Sequence, residues 1–380
     1  MSEWKKVKLG EICERVTSGG TPKANVSSYY NPPTIPWLKT KEVNYCRITE
    51  TENYISEEGL KNSSAKLISP NSVIIAMYGQ GDTAGRIAIN KIPLATNQAC
   101  CNLTIDKSKA DYEFIYYQLC TLYDKLVSLK AGAAQPNLNA RIIKNLEIIM
   151  PSLPIQHRIA TILSRYDSLI ENYQKQIKLL EEAAQRLYKE WFIDLHFPGH
   201  ENTKVIDGVP DGWTPSKLGQ LAEFKRGKTI TKKDAIEGVI PVVAGGLEPA
   251  YYCNKSNTAE RVITVSGSGA NAGFTRMYFE NVWASDCSFV DASTTPFLHF
   301  IYCYLKDNKT TIDNMQKGAA QPHVYAKDIN SLELCIPIES VLKSFEGTAS
   351  KYFDTISSLQ SQIRLLTESR DRLLPKLMSS

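Results

Sequence analysis

Two stretches of the chain carry hydrophobic positions that alternate three and four residues apart. This average of 3.5 keeps one face of a helix against a partner helix, so the spacing predicts two coiled-coil strands. Leu153-Pro154 and Phe197-Pro198-Gly199 fit the two ends of the first helix, which is predicted to have about 38 residues and a length of about 57 Å. The stripes comprise Ile159, Leu163, Tyr166, Ile170, Tyr173, Ile177, Leu180, Ala184, Leu187 and Trp191, and then Phe345, Ala349, Tyr352, Ile356, Leu359, Ile363, Leu366, Arg370, Leu373 and Leu377.

The chain ahead of each stripe has a different pattern. It is rich in Val, Ile, Tyr and Thr and is interrupted by turn signals such as SGGTP (Ser18 to Pro22) and AGG (Ala244 to Gly246). This pattern predicts a mixed domain dominated by β-strands. One amphipathic helix is predicted late in each domain, around Asp111 to Leu129 and around Pro296 to Asp307.

The two domain-and-helix segments repeat one another. The opening Trp4 and Leu9-Gly10 return 209 positions later, and a β-rich run entering the glycine loop at Gly79 returns 188 positions later. Gly132-Ala133-Ala134-Gln135-Pro136 returns 186 positions later as Gly318-Ala319-Ala320-Gln321-Pro322, and this offset holds to the end of each copy. Because the copies share their ends and differ in their middles, we expect two related units with different ligands.

This repeat predicts an α+β fold with two β-rich mixed domains joined by two long antiparallel coiled-coil helices. The predicted segments are a first domain at residues 1–150, a central helix at 151–197, a second domain at 198–337 and a distal helix at 338–380. If a pseudo-two-fold axis relates the copies, the molecule is a dumbbell with inverted heads. Such a shape suits a bipartite DNA target, because two separated heads can contact two short sequences that lie about one turn of B-DNA apart, a distance of about 34 Å.

Composition narrows the class of protein. The 380 residues are 43% hydrophobic and carry 44 basic and 40 acidic side chains, so nucleic-acid binding would depend on local patches. No stretch has the length and hydropathy of a signal or a membrane span, and the nine cysteines include no C-x-x-C pair. We therefore expect a cytoplasmic protein with free thiols and no membrane partner.

The motifs that superficially suggest catalysis are incomplete. Asn31-Pro32-Pro33-Thr34 lacks the aromatic residue of an amino-methyltransferase motif, and Ala222 replaces the first glycine of a P-loop that would end in Gly227-Lys228-Thr229. Pro198 breaks the helix that would align His196 and His200 for a metal. We predict no catalytic residue and no metal site on this chain.

The head-helix-head-helix order, the W-x-x-x-x-L-G openings, the SGGTP and IPW (Ile35 to Trp37) pair and the two G-x-x-Q-P loops together resemble the specificity subunit of Type I restriction-modification systems. The resemblance covers essentially the whole chain. It implies two target-recognition domains that each read one half of a split double-stranded DNA target, and helices that set the spacing and dock two methyltransferase subunits. S-adenosylmethionine and the methylation of adenine N6 would belong to those partners, and cleavage to a separate restriction/translocase subunit.

The candidate DNA contacts are basic, amide and hydroxyl side chains near glycine-containing loops. The densest basic stretch suits phosphate neutralisation, although a solvated surface is an equal alternative. The loops Gly79 to Arg86 and Gly267 to Arg276 suit backbone approach to DNA or form plain β-hairpin turns. Asn97 and Gln98, with Ser285 and Asp286 in the second copy, suit adenine or cytosine edges or cap strands. The predicted contacts are Thr21, Lys23, Lys39, Lys41, Gln80, Arg86, Asn97, Gln98, Lys225, Arg226, Lys228, Lys232, Lys233, Ser268, Asn271 and Arg276.

The helices supply the candidate partner contacts. We interpret the two GAAQP loops as hinges between head and helix in preference to base contacts. Arg370 replaces an apolar residue on the stripe, and we expect it to extend to solvent or to pair with an acid such as Glu182. The predicted coiled-coil and partner residues are Tyr166, Ile170, Tyr173, Ile177, Leu180, Leu187, Tyr352, Ile356, Leu359, Ile363, Leu366 and Leu373.

Two other hypotheses remain open at this point. A non-enzymatic coiled-coil scaffold whose two heads bind protein ligands would have the same architecture. A fused nuclease or methyltransferase would need motifs that the sequence does not contain. Binding of DNA by the assembled complex, with a salt dependence, distinguishes the first hypothesis from a specificity subunit.

Overall fold

The structure is a computed structural model, and it describes residues 4–130, 137–318 and 322–379. The chain divides into two compact units. Unit 1 consists of Met1–Ile170 with Arg364–Ser380, and unit 2 consists of Glu171–Ile363. Each unit therefore combines one head with segments of both long helices.

Unit 1 begins with a β-rich head, followed by short helices and then by the first long helix, which continues into unit 2. Its elements are β1 (Lys5–Lys8), β2 (Cys13–Ser18), β3 (Ile35–Leu38), β4 (Cys46–Ile48), β5 (Tyr54–Ile55), α1 (Glu57–Lys61), β6 (Leu67–Ile68), β7 (Val73–Ala76), β8 (Ile87–Asn90), β9 (Leu94–Thr96), β10 (Cys100–Ile105), α2 (Tyr112–Thr121), α3 (Tyr123–Ser128), α4 (Ala140–Lys144), β11 (Glu147–Met150) and α5 (Leu153–Phe192).

The head of unit 1 contains two main sheets. A five-stranded sheet has the order β2-β10-β7-β8-β4, and a four-stranded sheet has the order β5-β3-β9-β6. Every residue of β7 and β8 is buried, as expected for apolar strands that are covered on both faces. A separate pair, β1 with β11, joins the start of the head to the segment just ahead of α5.

Unit 2 repeats most of these elements, but it begins with an added hairpin and has no counterpart of β4, α1 or β6. Its elements are β12 (Val205–Ile206), β13 (Val209–Pro210), β14 (Thr214–Lys217), α6 (Leu218–Leu221), β15 (Lys225–Arg226), β16 (Ile240–Val243), β17 (Tyr251–Cys253), β18 (Val262–Ser266), β19 (Thr275–Tyr278), β20 (Trp283–Ala284), β21 (Cys287–Asp291), α7 (Leu298–Asp307), α8 (Lys309–Asn314), α9 (Ala326–Asn330), β22 (Glu333–Ile336) and α10 (Glu339–Met378).

The strand order of unit 2 repeats that of unit 1. The order β15-β21-β18-β19 corresponds to β2-β10-β7-β8, and β17-β16-β20 corresponds to β5-β3-β9. The pair β14 with β22 corresponds to β1 with β11. The internal repeat and the two β-rich mixed domains with two long helices are confirmed.

Each of the two long helices, α5 and α10, contains 40 residues. In α5, Pro154 lies in the first turn, where a missing N–H costs no helical hydrogen bond. The helix ends at Phe192, ahead of the predicted stop at Phe197-Pro198-Gly199. The single helix predicted around Asp111 to Leu129 is instead the pair α2 and α3, separated at Leu122.

The predicted hydrophobic stripes face the cores. In unit 1, Ile159 and Leu163 of α5 belong to the same core as Met378 near the end of α10. In unit 2, Trp191 near the end of α5 packs on Phe345 near the start of α10, with ring centroids 5.8 Å apart. Within unit 1, Asp167 of α5 also pairs with Arg370 of α10, so the two helix segments of that unit are antiparallel. The dumbbell shape and the domain boundaries at residues 150, 197 and 337 stay predictions.

Two further properties concern the described residues alone. None of their helices is both long enough and apolar enough to cross a membrane. All nine cysteines lie in the described part of the chain, and none of them is joined in a disulfide bond.

Candidate nucleic-acid interface

A cluster of loops follows the ends of the central strands in unit 1. β2 ends at Ser18, and a Cβ on the next residue, Gly19, would lie only 2.1 Å from the backbone oxygen of Thr96. Glycine is therefore required for this close approach. Two residues further on, the Thr21 hydroxyl donates a hydrogen bond to the amide oxygen of Gln98, which joins two predicted DNA contacts.

The same loop packing recurs in unit 2. A Cβ on Gly227 would lie 2.4 Å from the backbone oxygen of Ser285, and Lys228 N donates to the backbone oxygen of Ala284 at 2.9 Å. The indole N–H of Trp283 donates to Lys228 O at 2.7 Å, which holds the basic stretch against the strand ends. We call these two regions loop edge 1 (Gly19–Lys23, Gly79–Gln80, Asn97–Gln98 and Asn137) and loop edge 2 (Arg226–Lys228, Gly267–Asn271, Ser285–Asp286 and His323).

The basic stretch of unit 2 is exposed to solvent. Lys225 and Arg226 form strand β15, whose backbone pairs with β21. The side chains of both residues are exposed. Among the residues that the structure describes, no carboxylate forms an ion pair with any member of this stretch. Its members are Lys225, Arg226, Lys228, Lys232 and Lys233. Unpaired exposed cations suit phosphate binding, so this set stays a prediction that the geometry favours.

The glycine loops are β-hairpin turns. One joins β7 to β8 and the other joins β18 to β19. Their arginines contact their own unit: Arg86 pairs with Asp82 at 2.6 Å, and Arg276 donates to Leu247 O at 2.8 Å and stacks on Tyr278. The hairpin tips are the parts that remain open, with Gln80 exposed and Ser268 half-buried.

The remaining basic candidates of unit 1 differ in how free they are. Lys39 donates to the amide oxygen of Asn53 at 2.9 Å and lies over the Trp37 ring, and Lys41 pairs with Glu52. Lys23 is exposed. Lys23 is consequently the basic candidate of unit 1 that needs least rearrangement to reach a phosphate.

The polar candidates Asn97 and Asn271 contact their own unit as well. The amide oxygen of Asn97 accepts a hydrogen bond from the Cys100 thiol at 3.3 Å, and the Asn271 amide donates to Gly245 O at 3.4 Å. Both side chains are half-buried. Their roles as DNA contacts stay predictions.

Most residues of the two GAAQP loops lie outside the described residues. The interpretation of these loops as hinges therefore concerns residues that the structure does not describe. The described flanks of the second loop are bound to the hairpin tip: Gly269 N donates to Pro322 O at 3.0 Å and Val324 N to Gly267 O at 3.1 Å. In unit 1, Leu138 N donates to Met77 O at 3.0 Å, which holds the segment after Pro136 beside the start of the Gly79 loop.

Sequence reasoning missed His323 in loop edge 2 and Tyr325 beside it. Their rings stack at 5.9 Å with planes 12° apart, and both line a small pocket with Arg226 and Asp286. Tyr325 is 38% exposed. The available signal was their position directly after the repeated GAAQP loop.

A buried cluster of charges fixes the head of unit 1 to its helix segments. Arg47, the middle residue of β4, pairs with Glu113 of α2 and, at 2.7 Å, with Asp167 of α5. Asp167 also pairs at 2.6 Å with Arg370 of α10 and accepts a hydrogen bond from Tyr117. The expectation that Arg370 pairs with an acid is therefore confirmed, but the acid is Asp167 rather than Glu182, because Asp167 lies within reach and faces the interior of unit 1.

The helix surfaces carry a second repeated feature. Among the predicted coiled-coil residues, Ile170, Ile356 and Leu359 are buried. The other nine predicted residues are half-buried, namely Tyr166, Tyr173, Ile177, Leu180, Leu187, Tyr352, Ile363, Leu366 and Leu373. Between the stripe positions, Leu179 is 63% exposed in unit 2 and Leu365, 186 positions later, is 58% exposed in unit 1.

Within the described ranges, no three His, Cys, Asp or Glu side chains are grouped so that they could hold a metal ion. Two similar units, each with an open cluster of loops and an exposed leucine at the repeated helix position, have the layout of a recognition protein with two heads.

The comparisons with known proteins identify its family. The model of the Type I restriction modification DNA specificity domain matches residues 1–182 and 210–372. Because the match extends over most of the chain, the protein belongs to the Type I restriction-modification specificity subunits, whose function is the recognition of a DNA target.

Individual relatives agree with this assignment. The MjaIX specificity subunit of Methanocaldococcus jannaschii is 29% identical over an alignment of 406 positions, which covers 99% of this chain and 93% of the relative. The EcoR124I/EcoR124II specificity subunit of Escherichia coli is 28% identical over 51% of this chain and 48% of its own length. The crystal structure of an S subunit from M. genitalium superposes with a TM-score of 0.63 at 18% identity, covering 100% of this chain and 97% of that one, which supports the same fold.

Proposed function

We propose that the chain reads a bipartite double-stranded DNA target in the cytoplasm, with loop edge 1 on one half-site and loop edge 2 on the other. The observation that carries this proposal is the repetition of one backbone arrangement with different side chains. Gly19 and Gly227 make the same close approach in both units, while Gln98 in one edge corresponds to Asp286 in the other. A shared scaffold with different polar groups suits two different base sequences.

The long helices are the proposed spacer and docking surface. A helix of 40 residues spans about 60 Å at 1.5 Å per residue, so α5 is long enough to separate two contacts on DNA by more than one turn. Leu179 lies in a groove with Glu182, Arg186 and Tyr352. The positions 186 residues away, Leu365, Glu368, Arg372 and Tyr166, have the same residue types. Two equivalent surfaces suit two copies of one partner, which we propose to be the methyltransferase subunits.

Catalysis belongs to the partners in this proposal. S-adenosylmethionine would bind to the methyltransferase subunits, and where a restriction/translocase subunit is present, cleavage would belong to it. The role of this chain is to hold those subunits at a defined DNA sequence. Its own side chains then need to supply affinity and discrimination but no chemical step.

Deletion of the gene is expected to remove one split N6-methyladenine motif from the host genome. The motif would consist of two short defined blocks around a spacer of constant length, because two heads on one chain impose a fixed separation. Sequencing that detects modified bases directly, in the host with and without the gene, measures this. An unchanged map would contradict the proposal, and proteins that then co-purify with the chain would favour the two-headed scaffold.

Substitution of the exposed leucines is expected to remove the methyltransferase subunits one at a time. Leu179→Glu should reduce their number from two to one, Leu365→Glu should do the same, and the double variant should retain none, because each change places a charge in an apolar contact. Native mass spectrometry of the co-expressed complex counts the subunits.

Leu169→Glu is the matched control for this experiment. Leu169 is 43% exposed on the same helix, but the residue 186 positions later is Thr355, so the surface around it is not repeated. Two bound subunits in the double variant would show that docking uses another surface.

A further inference from the structure

Loop edge 2 contains a carboxylate where an interface with DNA ordinarily favours positive charge. The inference drawn from it rests on the proposed function. Asp286 lies in the turn between β20 and β21, and it lines a pocket together with Arg226, Ser288, His323 and Tyr325. A carboxylate repels phosphate oxygens, so at such an edge it lowers affinity unless it makes a specific contact.

The hydrogen bonds of Asp286 argue against a purely local role. The Ser268 hydroxyl donates to Oδ2, and the backbone oxygen accepts from Gly267 N at 3.0 Å. In the part of the chain that the structure describes, no backbone N–H donates to the carboxylate, so it does not cap a strand or a turn. The bond from Ser268 orients the group and leaves Oδ1 without a hydrogen-bond donor from the described residues.

The corresponding residue of unit 1 has different hydrogen-bonding chemistry. Gln98 lies 188 positions earlier, on the turn that Gly19 contacts, just as Asp286 lies on the turn that Gly227 contacts. A carboxylate only accepts hydrogen bonds, whereas an amide both donates and accepts. The same backbone position therefore offers an acceptor to one half-site and a donor-acceptor pair to the other.

We propose that Asp286 accepts a hydrogen bond from the N4 amino group of a cytosine in the major groove and thereby fixes one C·G pair in the half-site of unit 2. In the major groove, cytosine presents an amino donor, which matches an oriented acceptor. Arg226, beside the pocket, offsets the repulsion between the carboxylate and the phosphates, and the stacked rings of His323 and Tyr325 form one wall of the site.

The test is Asp286→Asn in the complete chain, assembled with its methyltransferase subunits. The wild-type methylation map first supplies the two blocks, and competition binding then compares duplexes with each base pair at every position of the second block. We expect the preference for cytosine at one position to fall by about 5- to 150-fold. Adenine should be favoured there instead, since an amide pairs with adenine N6 and N7.

Two controls keep the outcomes distinct. The first block should be unchanged, which shows that the variant is folded and assembled, and Asp211→Asn, the same change at an exposed position of unit 2, should alter neither block. Unchanged base preferences with Asp286→Asn would overturn the inference and leave the proposed function intact. Absence of any gene-dependent motif in the wild type would overturn both.

Discussion

Asp167→Ala is expected to destabilise unit 1 by about 3–5 kcal/mol. The carboxylate of Asp167 bonds to two arginines and a tyrosine, and its side chain is 7% exposed. Its removal would leave the buried guanidinium of Arg47 without one of its anionic partners, and that group is 5% exposed. Arg47 keeps its pair with Glu113, but part of its buried charge loses its compensation, and this costs more than the lost contact itself.

The acid sensitivity of unit 1 follows from the same network. Burial by itself raises the pKa of Asp167, but the charge of Arg47 and the hydrogen bonds from Tyr117 and Arg370 outweigh it and hold the pKa below the ordinary 3.8. A group with a depressed folded-state pKa stabilises the fold at pH values above its unfolded pKa and loses this contribution as the pH falls through the folded value. The difference in stability between wild type and Asp167→Ala should therefore narrow below about pH 4.

Hydrogen exchange of the complete chain, resolved by peptide, measures the stability of each unit separately. Protection in the head of unit 1 should fall in Asp167→Ala, while protection in unit 2 stays within experimental error. Asp124→Ala, at an exposed position of α3, is the matched control and should change stability by about 0.5 kcal/mol or less. A loss below about 1 kcal/mol for Asp167→Ala would contradict the assigned role of the buried cluster.

Replacement of Lys225, Arg226 and Lys228 by glutamine is expected to weaken DNA binding of the assembled complex by on the order of 100-fold near physiological salt. Each neutralised phosphate contributes about 0.9 to the slope of log affinity against log salt, so the triple variant should lower the magnitude of the slope by about 2.7. The loss should be nearly the same for specific and unrelated DNA, because phosphate contacts carry no sequence information.

Binding isotherms at several salt concentrations test this expectation. The matched control replaces Lys204, Lys217 and Lys255, which are equally exposed in unit 2 but lie outside the predicted DNA contacts. An unchanged slope in the variant of Lys225, Arg226 and Lys228 would mean that the basic stretch is a solvated surface, the alternative that the sequence left open.

Periodicity along the chain was sufficient to predict the elements that repeat. The stripe positions Ile170, Ile356 and Leu359 are buried as the 3.5-residue spacing requires, and the glycine loops are hairpin turns between antiparallel strands. Both outcomes depend on local patterns, namely which positions share a face of a helix and which residues allow the chain to reverse direction. Such patterns are readable in a single sequence.

The partners of individual side chains were not readable in this way. Arg370 was expected to extend to solvent or to pair with an acid such as Glu182. It does pair with an acid, but that acid is Asp167, which also binds Arg47 from the head. Similarly, the sequence did not indicate that His323 lies in loop edge 2. Its position there depends on backbone hydrogen bonds between the segment after the second GAAQP loop and the hairpin tip at Gly269, 54 residues earlier in the chain. No periodic pattern in the sequence indicates a contact between segments so far apart in the chain.

The sequence by itself determined the duplication, the two coiled-coil stripes, the β-rich heads and the absence of complete catalytic motifs, because repeats and hydrophobic spacing are properties of the chain order. The tertiary structure alone decided which polar groups share an edge, which basic residues stay free and which buried charges neutralise one another. Hydrogen bonds and ion pairs form only between groups about 3–4 Å apart, and the residues that form them are often far apart in the chain. The packing of the whole unit therefore decides which of several chemically equivalent side chains become partners.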